Sequence, residues 1–284
     1  MKDRMPPGWL VAPLAVGGLL LLAWLERRRP LRRPVEPKVR REARNLAIAG
    51  IGAAAVQLVE TPVVRWLTPV VERRRWGLVK LVRMPVWMET ALAVLFIDYS
   101  MYVWHILMHR IPLFWRFHLA HHTDLDLDAS TALRFHFGEL FISVPWRAVQ
   151  ILSIGVSPLA FSLWQMLFLL EIMFHHSGVG LPVGVERRLA WIIVTPRIHG
   201  IHHSIVREET ESNWASVLSI WDRLHRTLRL NVPQREAIIG VPAYPGTGAG
   251  HTTADVGAAF RIAASGLEVA RKRRASAQRD FGPL

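Results

Sequence analysis

The stretch LFISVPWRAVQILSIGVSPLAFSLWQMLFLLEIMFHH (140–176) decides the fold. It carries no charge as far as Leu170 except Arg147, and Gly155-Val156-Ser157-Pro158 interrupts it midway. Read as a single membrane span over Ala148–Leu170, it would leave His136 and His175 on opposite sides of the bilayer. Read as a helical hairpin that enters at Leu140 and returns by Phe174, it keeps every histidine on one face. Gly155 and Pro158 then supply the turn. The hairpin is adopted, because the histidines on either side of it form a set.

Upstream, Met84–Trp104 is apolar apart from Glu89 and Asp98 and runs directly into His105. Residues 5–25 are uncharged and are closed by Glu26-Arg27-Arg28-Arg29. That length crosses a hydrocarbon core of ~30 Å as a helix. An arginine cluster stands where a signal peptide would have small residues for cleavage, so an uncleaved span is expected. The loop that follows holds Arg27, Arg28, Arg29, Arg32, Arg33, Lys38, Arg40, Arg41 and Arg44 and is cytoplasmic by the positive-inside rule. A shorter apolar stretch over residues 45–64 either crosses or re-enters. Residues 73–83 read as an interfacial amphipathic segment, whose charges oppose the rule if residues 45–64 cross. Downstream of Pro242, residues 243–250 read as a linker, and the tail with Arg271, Lys272, Arg273 and Arg274 as mobile or lying on anionic lipid.

The composition agrees with a membrane protein. Of 284 residues 51% are hydrophobic, and 35 basic against 22 acidic side chains give a formal charge of +13. A mean hydropathy of +0.22 with a pI of about 11.3 is too apolar for a soluble nucleic-acid binder, and no nucleic-acid module is present. Basic flanks around apolar spans explain the charge. The absence of cysteine excludes disulfides, thiolate-bound clusters and cysteine nucleophiles.

Three histidine clusters stand out: His105-x3-His109, His118-x2-His121-His122 and His199-x2-His202-His203. Helical positions i, i+3 and i+4 share a face, so each cluster aims its imidazoles at one point. With 13 histidines in the chain, the pattern H-x-x-H-H is expected roughly 0.03 times by chance and occurs twice. Imidazole nitrogen suits iron, zinc, copper and nickel. Eight ligands, with His176 and His136 as further candidates, exceed what one ion takes and fit two metals in one pocket. Isolated histidines are most often core residues, and His225 and His251 are read so; no role is assigned to His175. Asp98, seven residues before His105 on the same face, is expected to orient a ligand. Thr195-Pro196 reads as the N-cap and first residue of a helix carrying the third cluster. Arg134 and Glu139 flank His136 and are expected to pair with each other or to serve the site. Asp124, with Asp126 and Asp128, is a further outer-shell candidate, and Trp104, Trp115, Trp146 and Trp191 read as an interfacial belt.

These motifs resemble the fatty acid hydroxylase superfamily, which includes sterol desaturases and C4-methylsterol oxidases. The matching words are WHILMHR (104–110), WRFHLAHHTDLD (115–126), STALRFHFGE (130–139), FHHSG (174–178), TPRIHGIHHS (195–204) and NWASVLSIWDRLHRT (213–227). The resemblance implies a membrane-bound non-haem di-iron oxygenase. It would hydroxylate or desaturate a lipid C–H bond with O2 and two electrons at the cytoplasmic face. Its ligands would be His105, His109, His118, His121, His122, His199, His202 and His203, then His176 and His136, and the last matching word brings Asn213 in as an outer residue. Zinc is expected to displace iron on overexpression. No fused cytochrome b5-like His-Pro-Gly-Gly signature occurs, so a separate electron donor is expected.

The expected architecture is an all-α, integral membrane, multi-pass helical bundle of about four crossings, capped on the cytoplasmic side by helices around the metal pair. Residues 1–83 would anchor it, 84–235 would form the catalytic domain and 236–284 a linker and tail. The alternatives are a membrane metallohydrolase using zinc-activated water, which needs only three or four protein ligands and a carboxylate base, and a non-catalytic metal-binding membrane protein.

Overall fold

The computed structural model describes residues 8–234 and 237–241. The linker and basic tail expected beyond Pro242 lie outside the described residues. Regular structure among the described residues is helical, joined by three isolated β-bridges. The longer helices are α1 (Gly8–Arg28), α2 (Lys38–Ala55), α3 (Thr61–Arg74), α4 (Val86–Arg110), α5 (Pro112–His122), α6 (Phe137–Gln150) and α7 (Pro158–His176). Short helices α8 (Val183–Leu189), α9 (Pro196–His202), α10 (Arg207–Thr210) and α11 (Ile220–Leu224) complete the histidine end. Three segments are long and apolar enough to cross a membrane: Lys38–Lys80, Val86–Arg110 and Pro158–His176.

Proline and small polar residues set the boundaries. Pro85 precedes α4, and Ile111 takes the extended conformation forced on a residue before proline, so α4 ends and Pro112 starts α5. The break at 155–158 is the expected hairpin turn. After α6 a π-helical turn at Ile151–Gly155 follows, and Ser157 caps α7 by accepting from the Ala160 amide at 3.1 Å. Gly155 (φ +90°) lies against Gly77 (φ +101°); a Cβ on Gly77 would sit 2.2 Å from the Gly155 nitrogen. The hairpin therefore rests, at the end remote from the histidines, on the connection after α3.

Residues 45–64 are not a separate short stretch. Helix runs from Lys38 to Arg74, with a π turn at Val56–Glu60 where Pro62 can neither donate to the Leu58 carbonyl nor clear it. Residues 73–83, read as an interfacial amphipathic segment, are not one continuous helix. Arg75 ends α3 in a left-handed conformation, and Lys80 in the following 3-10 turn is buried between Glu72 and Glu89. That pairing neutralises part of the charge that opposes the positive-inside rule if residues 45–64 cross. The apolar core of this half gathers Val64, Val71, Ile97, Ile151, Phe161 and Trp164.

At the other end the basic loop after α1 folds back over the histidines. Leu31 donates to the Gly178 carbonyl at 2.7 Å, and Arg32 donates to the Pro196 carbonyl at 2.9 Å. Arg41, buried at the start of α2, pairs with Asp124 at 3.0 Å and with Asp128, and Asn45 donates to Asp124 at 2.9 Å. This cluster fixes the loop between α5 and α6, and with it the exit of His121 and His122 from α5.

Candidate metal centre

Nine of the ten predicted ligands converge into two groups. His105, His109, His118, His122 and His202 form one, and His121, His176, His199 and His203 the other. In each group one ring nitrogen per residue lies within 4.8 Å of all the rest. The first draws on α4, α5 and α9; the second on α5, α7 and α9. Each H-x-x-H-H cluster is split: adjacent histidines differ by about 100° on a helix, so His121 and His122 face different groups, as do His202 and His203. The groups abut where His122 stacks on His203, ring centroids 4.3 Å apart.

Hydrogen bonds select the nitrogen that faces inward. His105 Nδ1 donates to the Trp214 carbonyl at 2.8 Å, His176 Nδ1 to the Ile172 carbonyl at 2.7 Å, and His202 Nδ1 to the Ser212 carbonyl at 2.9 Å. His118 Nδ1 donates to Glu139 Oε1 at 3.1 Å. A ring whose Nδ1 carries the proton presents the Nε2 lone pair, the arrangement that acceptors impose on metal-bound histidines.

The inward nitrogens fit a cation. Buried Nε2 atoms of His109, His118, His122 and His202 have no hydrogen-bond partner. In the second group Nε2 of His121 lies 2.9 Å from that of His176, which lies 3.0 Å from that of His199, itself 3.0 Å from that of His203. A spacing near 3 Å is the edge between neighbouring ligands around an ion with metal–nitrogen bonds of about 2.1 Å. Burial, reinforced by the surrounding imidazoles, holds His121, His122, His199 and His203 well below the ordinary imidazole range, and burial pushes His202 down to about 3. The rings are neutral at physiological pH, with lone pairs free for a metal. No carboxylate belongs to either group among the described residues.

The remaining predicted residues sit elsewhere. His136 is in neither group: it caps α6, its Nδ1 accepting from the Gly138 amide at 3.0 Å, which turns its ring toward Phe117 and Phe137. Asp98 does not touch a histidine. It accepts from Trp221 Nε1 at 2.7 Å and the Leu218 amide at 3.1 Å, tying α4 to the segment that supplies the Trp214 carbonyl. Asn213, left-handed at φ +56°, donates to the Ile198 and Arg229 carbonyls, both at 2.9 Å, and so docks α9. Asp124 serves the Arg41 cluster, and Arg134 does not pair with Glu139; it donates to the Ala120 carbonyl and Asn45. Thr195 is the N-cap of α9 by conformation, without a side-chain cap bond. His175 packs on His199, centroids 4.0 Å apart, outside both groups. The backbone carbonyls of Ile172, Ser212 and Trp214 had no signal in the sequence, because any residue supplies one.

Trp104 and Trp115 are not belt residues. Trp115 packs on His109 at 4.8 Å, and Trp104 lines two spaces that share part of their walls. One is a chamber of about 70 Å³ against His105, His118, His121 and His176. The other, of about 420 Å³, extends between α2, α6 and α7 into the bundle. Met101, Trp104, Phe135, Glu139, Phe168 and Ile172 line both.

Residues 90–227 match the family model described as fatty acid hydroxylase. The chain is 29% identical to an alkylglycerol monooxygenase of Xenopus tropicalis over 58% of its length and 35% of the relative's. It is 30% identical to an ornithine lipid hydroxylase of Rhizobium tropici, over 49% and 41% of the two chains. It is 27% identical to the human cholesterol 25-hydroxylase, over 50% and 52%. The chain thus spans about half or less of the length of these relatives. No solved structure matches it.

Proposed function

We propose that this chain, whose residues 90–227 match the fatty acid hydroxylase family model, works as a membrane-bound, non-haem di-iron oxygenase acting on a lipid C–H bond. The observation that carries this reading is the pair of all-imidazole groups at a small chamber that shares its apolar lining with a larger cavity. The groups of five and four histidines would hold one iron each. Bound there, the metal pair supplies O2 reduction and the oxidising power to break a C–H bond. In hydroxylation one oxygen atom enters the product and the other leaves as water, with two electrons and two protons from a separate donor; desaturation uses the same inputs.

The chain's own residues bind and orient. Glu139 and the carbonyls of Ile172, Ser212 and Trp214 lock four rings before any metal arrives. Apolar walls around Trp104, Phe168 and Ile172 exclude water and guide an alkyl chain from the bilayer to the histidines. The basic segment from Arg27 to Arg44, folded over the histidine end, supports a cytoplasmic site above a bundle of about four crossings. His136 is left out of the ligand set.

The test is iron and zinc per chain in protein purified from iron-replete membranes, with O2 uptake measured on added lipid and reductant. About two metals per chain, loss in His202→Ala of the one held by the five-histidine group, and lipid-dependent uptake are expected. One metal, or uptake unchanged in a folded His202→Ala variant, overturns the reading.

A further inference from the structure

The larger cavity ends in a polar cluster inside the membrane-spanning part of the bundle. Glu60 and Arg147, each only 7% exposed, pair there with Arg147 Nε 3.4 Å from Glu60 Oε1. The guanidinium lies over Trp164 at 4.5 Å and donates to Gln150 Oε1 at 2.5 Å, yet its Nε has no hydrogen-bond partner. Gln57 lines the same cavity from the segment that carries Glu60, and Gln165 lines it from α7; both side chains are exposed, and neither has a hydrogen-bond partner among the described residues. Gln57 and Glu60 belong to the π turn at Val56–Glu60.

Four polar side chains lining one cavity in an apolar bundle need an account. An ion pair within a membrane span is costly, and its default reading is functional. A pair that merely pinned α6 to the π turn would be closed off from open space. This one borders about 420 Å³ of open space, which two unpartnered amides also line. The cluster offers donors from Arg147 and the glutamine amides, and acceptors from Glu60 and the glutamine carbonyls. Its formal charges cancel. That set matches a neutral group that both donates and accepts, which is the chemistry of a hydroxyl. A π turn is a common device for presenting side chains to a site.

We propose that Arg147, Glu60, Gln57 and Gln165 bind a hydroxyl group of the lipid, anchoring it while its apolar body reaches the histidine chamber. This rests on the lipid oxygenase reading for its function, though not for the binding itself. The separation follows from helix geometry. Glu139, at the histidines, and Arg147 are eight residues apart on α6, which is about 12 Å. Ile172 and Gln165 are seven apart on α7, about 10 Å. At ~1.3 Å per carbon of an extended chain, the oxidised carbon lies roughly eight to ten carbons from the hydroxyl.

The experiment uses the full chain in phosphatidylcholine nanodiscs with two probes, 12-bromododecan-1-ol and 1-bromododecane. Terminal bromine quenches tryptophan, and Trp104 and Trp164 both line the cavity. Saturable quenching by the alcohol, with only the linear membrane background from the alkane, is expected. Gln57→Leu/Gln165→Leu raises the half-saturating alcohol concentration about tenfold or more and leaves the alkane response unchanged. Arg147→Met has the larger effect; should it not fold, the glutamine variant still decides, because those side chains make no bonds within the protein. Equal responses to both probes, or alcohol binding unchanged in the glutamine variant, overturns the proposal. Quenching needs no turnover, and metal content is measured on the same samples. Loss of the metal reading and loss of the hydroxyl site are therefore seen separately.

Discussion

His105 Nδ1 lies 2.8 Å from the carbonyl oxygen of Trp214, a residue 109 positions further along the chain. That carbonyl is held in turn. The Trp214 amide donates to Asp222 at 2.8 Å, and Asp98, two helical turns before His105, holds Leu218 and Trp221. α4 therefore carries both a candidate ligand, His105, and the residue that positions its hydrogen-bond partner. Asp98→Ala leaves two donors unpaired, at a cost of about 1–3 kcal/mol, and loosens the Trp214 carbonyl. Lower thermal stability and weaker metal retention by His105 are expected; Trp221→Phe, which removes one of the two bonds, should give a smaller change of the same kind.

The two histidine groups can be emptied separately. His203→Ala removes one of four nitrogens from the second group and His109→Ala one of five from the first. Elemental analysis should find the His203→Ala protein short of about one metal, with the other retained. Equal loss of both metals from either variant would mean a single shared centre.

Glu139 sets the tautomer of His118 at 3.1 Å. Glu139→Ala should weaken metal binding about 10–100-fold, as loss of such a partner does elsewhere. Glu139→Gln keeps an acceptor oxygen in reach and should retain most of the affinity. Competition with a chelator of known strength measures both.

His136→Ala tests a helix cap rather than a ligand. The substitution should lower stability by about 0.5–2 kcal/mol and leave metal content intact, and His136→Ser should recover the stability. A loss of metal without a loss of stability would return His136 to the ligand set.

The metal-free protein should be sensitive to acid. Burial keeps His121, His122, His199, His202 and His203 neutral to well below their ordinary range, His202 to about 3. The unfolded chain protonates the same residues near 6.5. As pH falls below that value the unfolded state takes up protons that the fold excludes, so stability declines, by up to about 1.4 kcal/mol per pH unit for each group. Melting temperatures of stripped protein should be level above about pH 7.5 and fall steadily between pH 6.5 and 5. A flat profile across that window would show that these rings are not held neutral.

The sequence by itself determined which residues could bind metal and roughly where the helices begin. Histidine spacing is a local code: i, i+3 and i+4 share a face whatever the rest of the chain does. Gly155 and Pro158 declared the hairpin for the same reason, since a positive φ and a missing N–H act at one position. Only the tertiary structure decided how nine histidines divide between two groups, because each H-x-x-H-H cluster splits according to which neighbour each ring meets. It also decided the roles of residues whose partners are far away in sequence. Asp124 turned to Arg41, Asp98 to Trp221, Glu139 to His118, and His136 to the end of its own helix. The cavity with Arg147 and Glu60 belongs to the same class. Those residues are 87 positions apart, and an ion pair across that interval exists only once α6 packs beside the π turn that ends in Glu60.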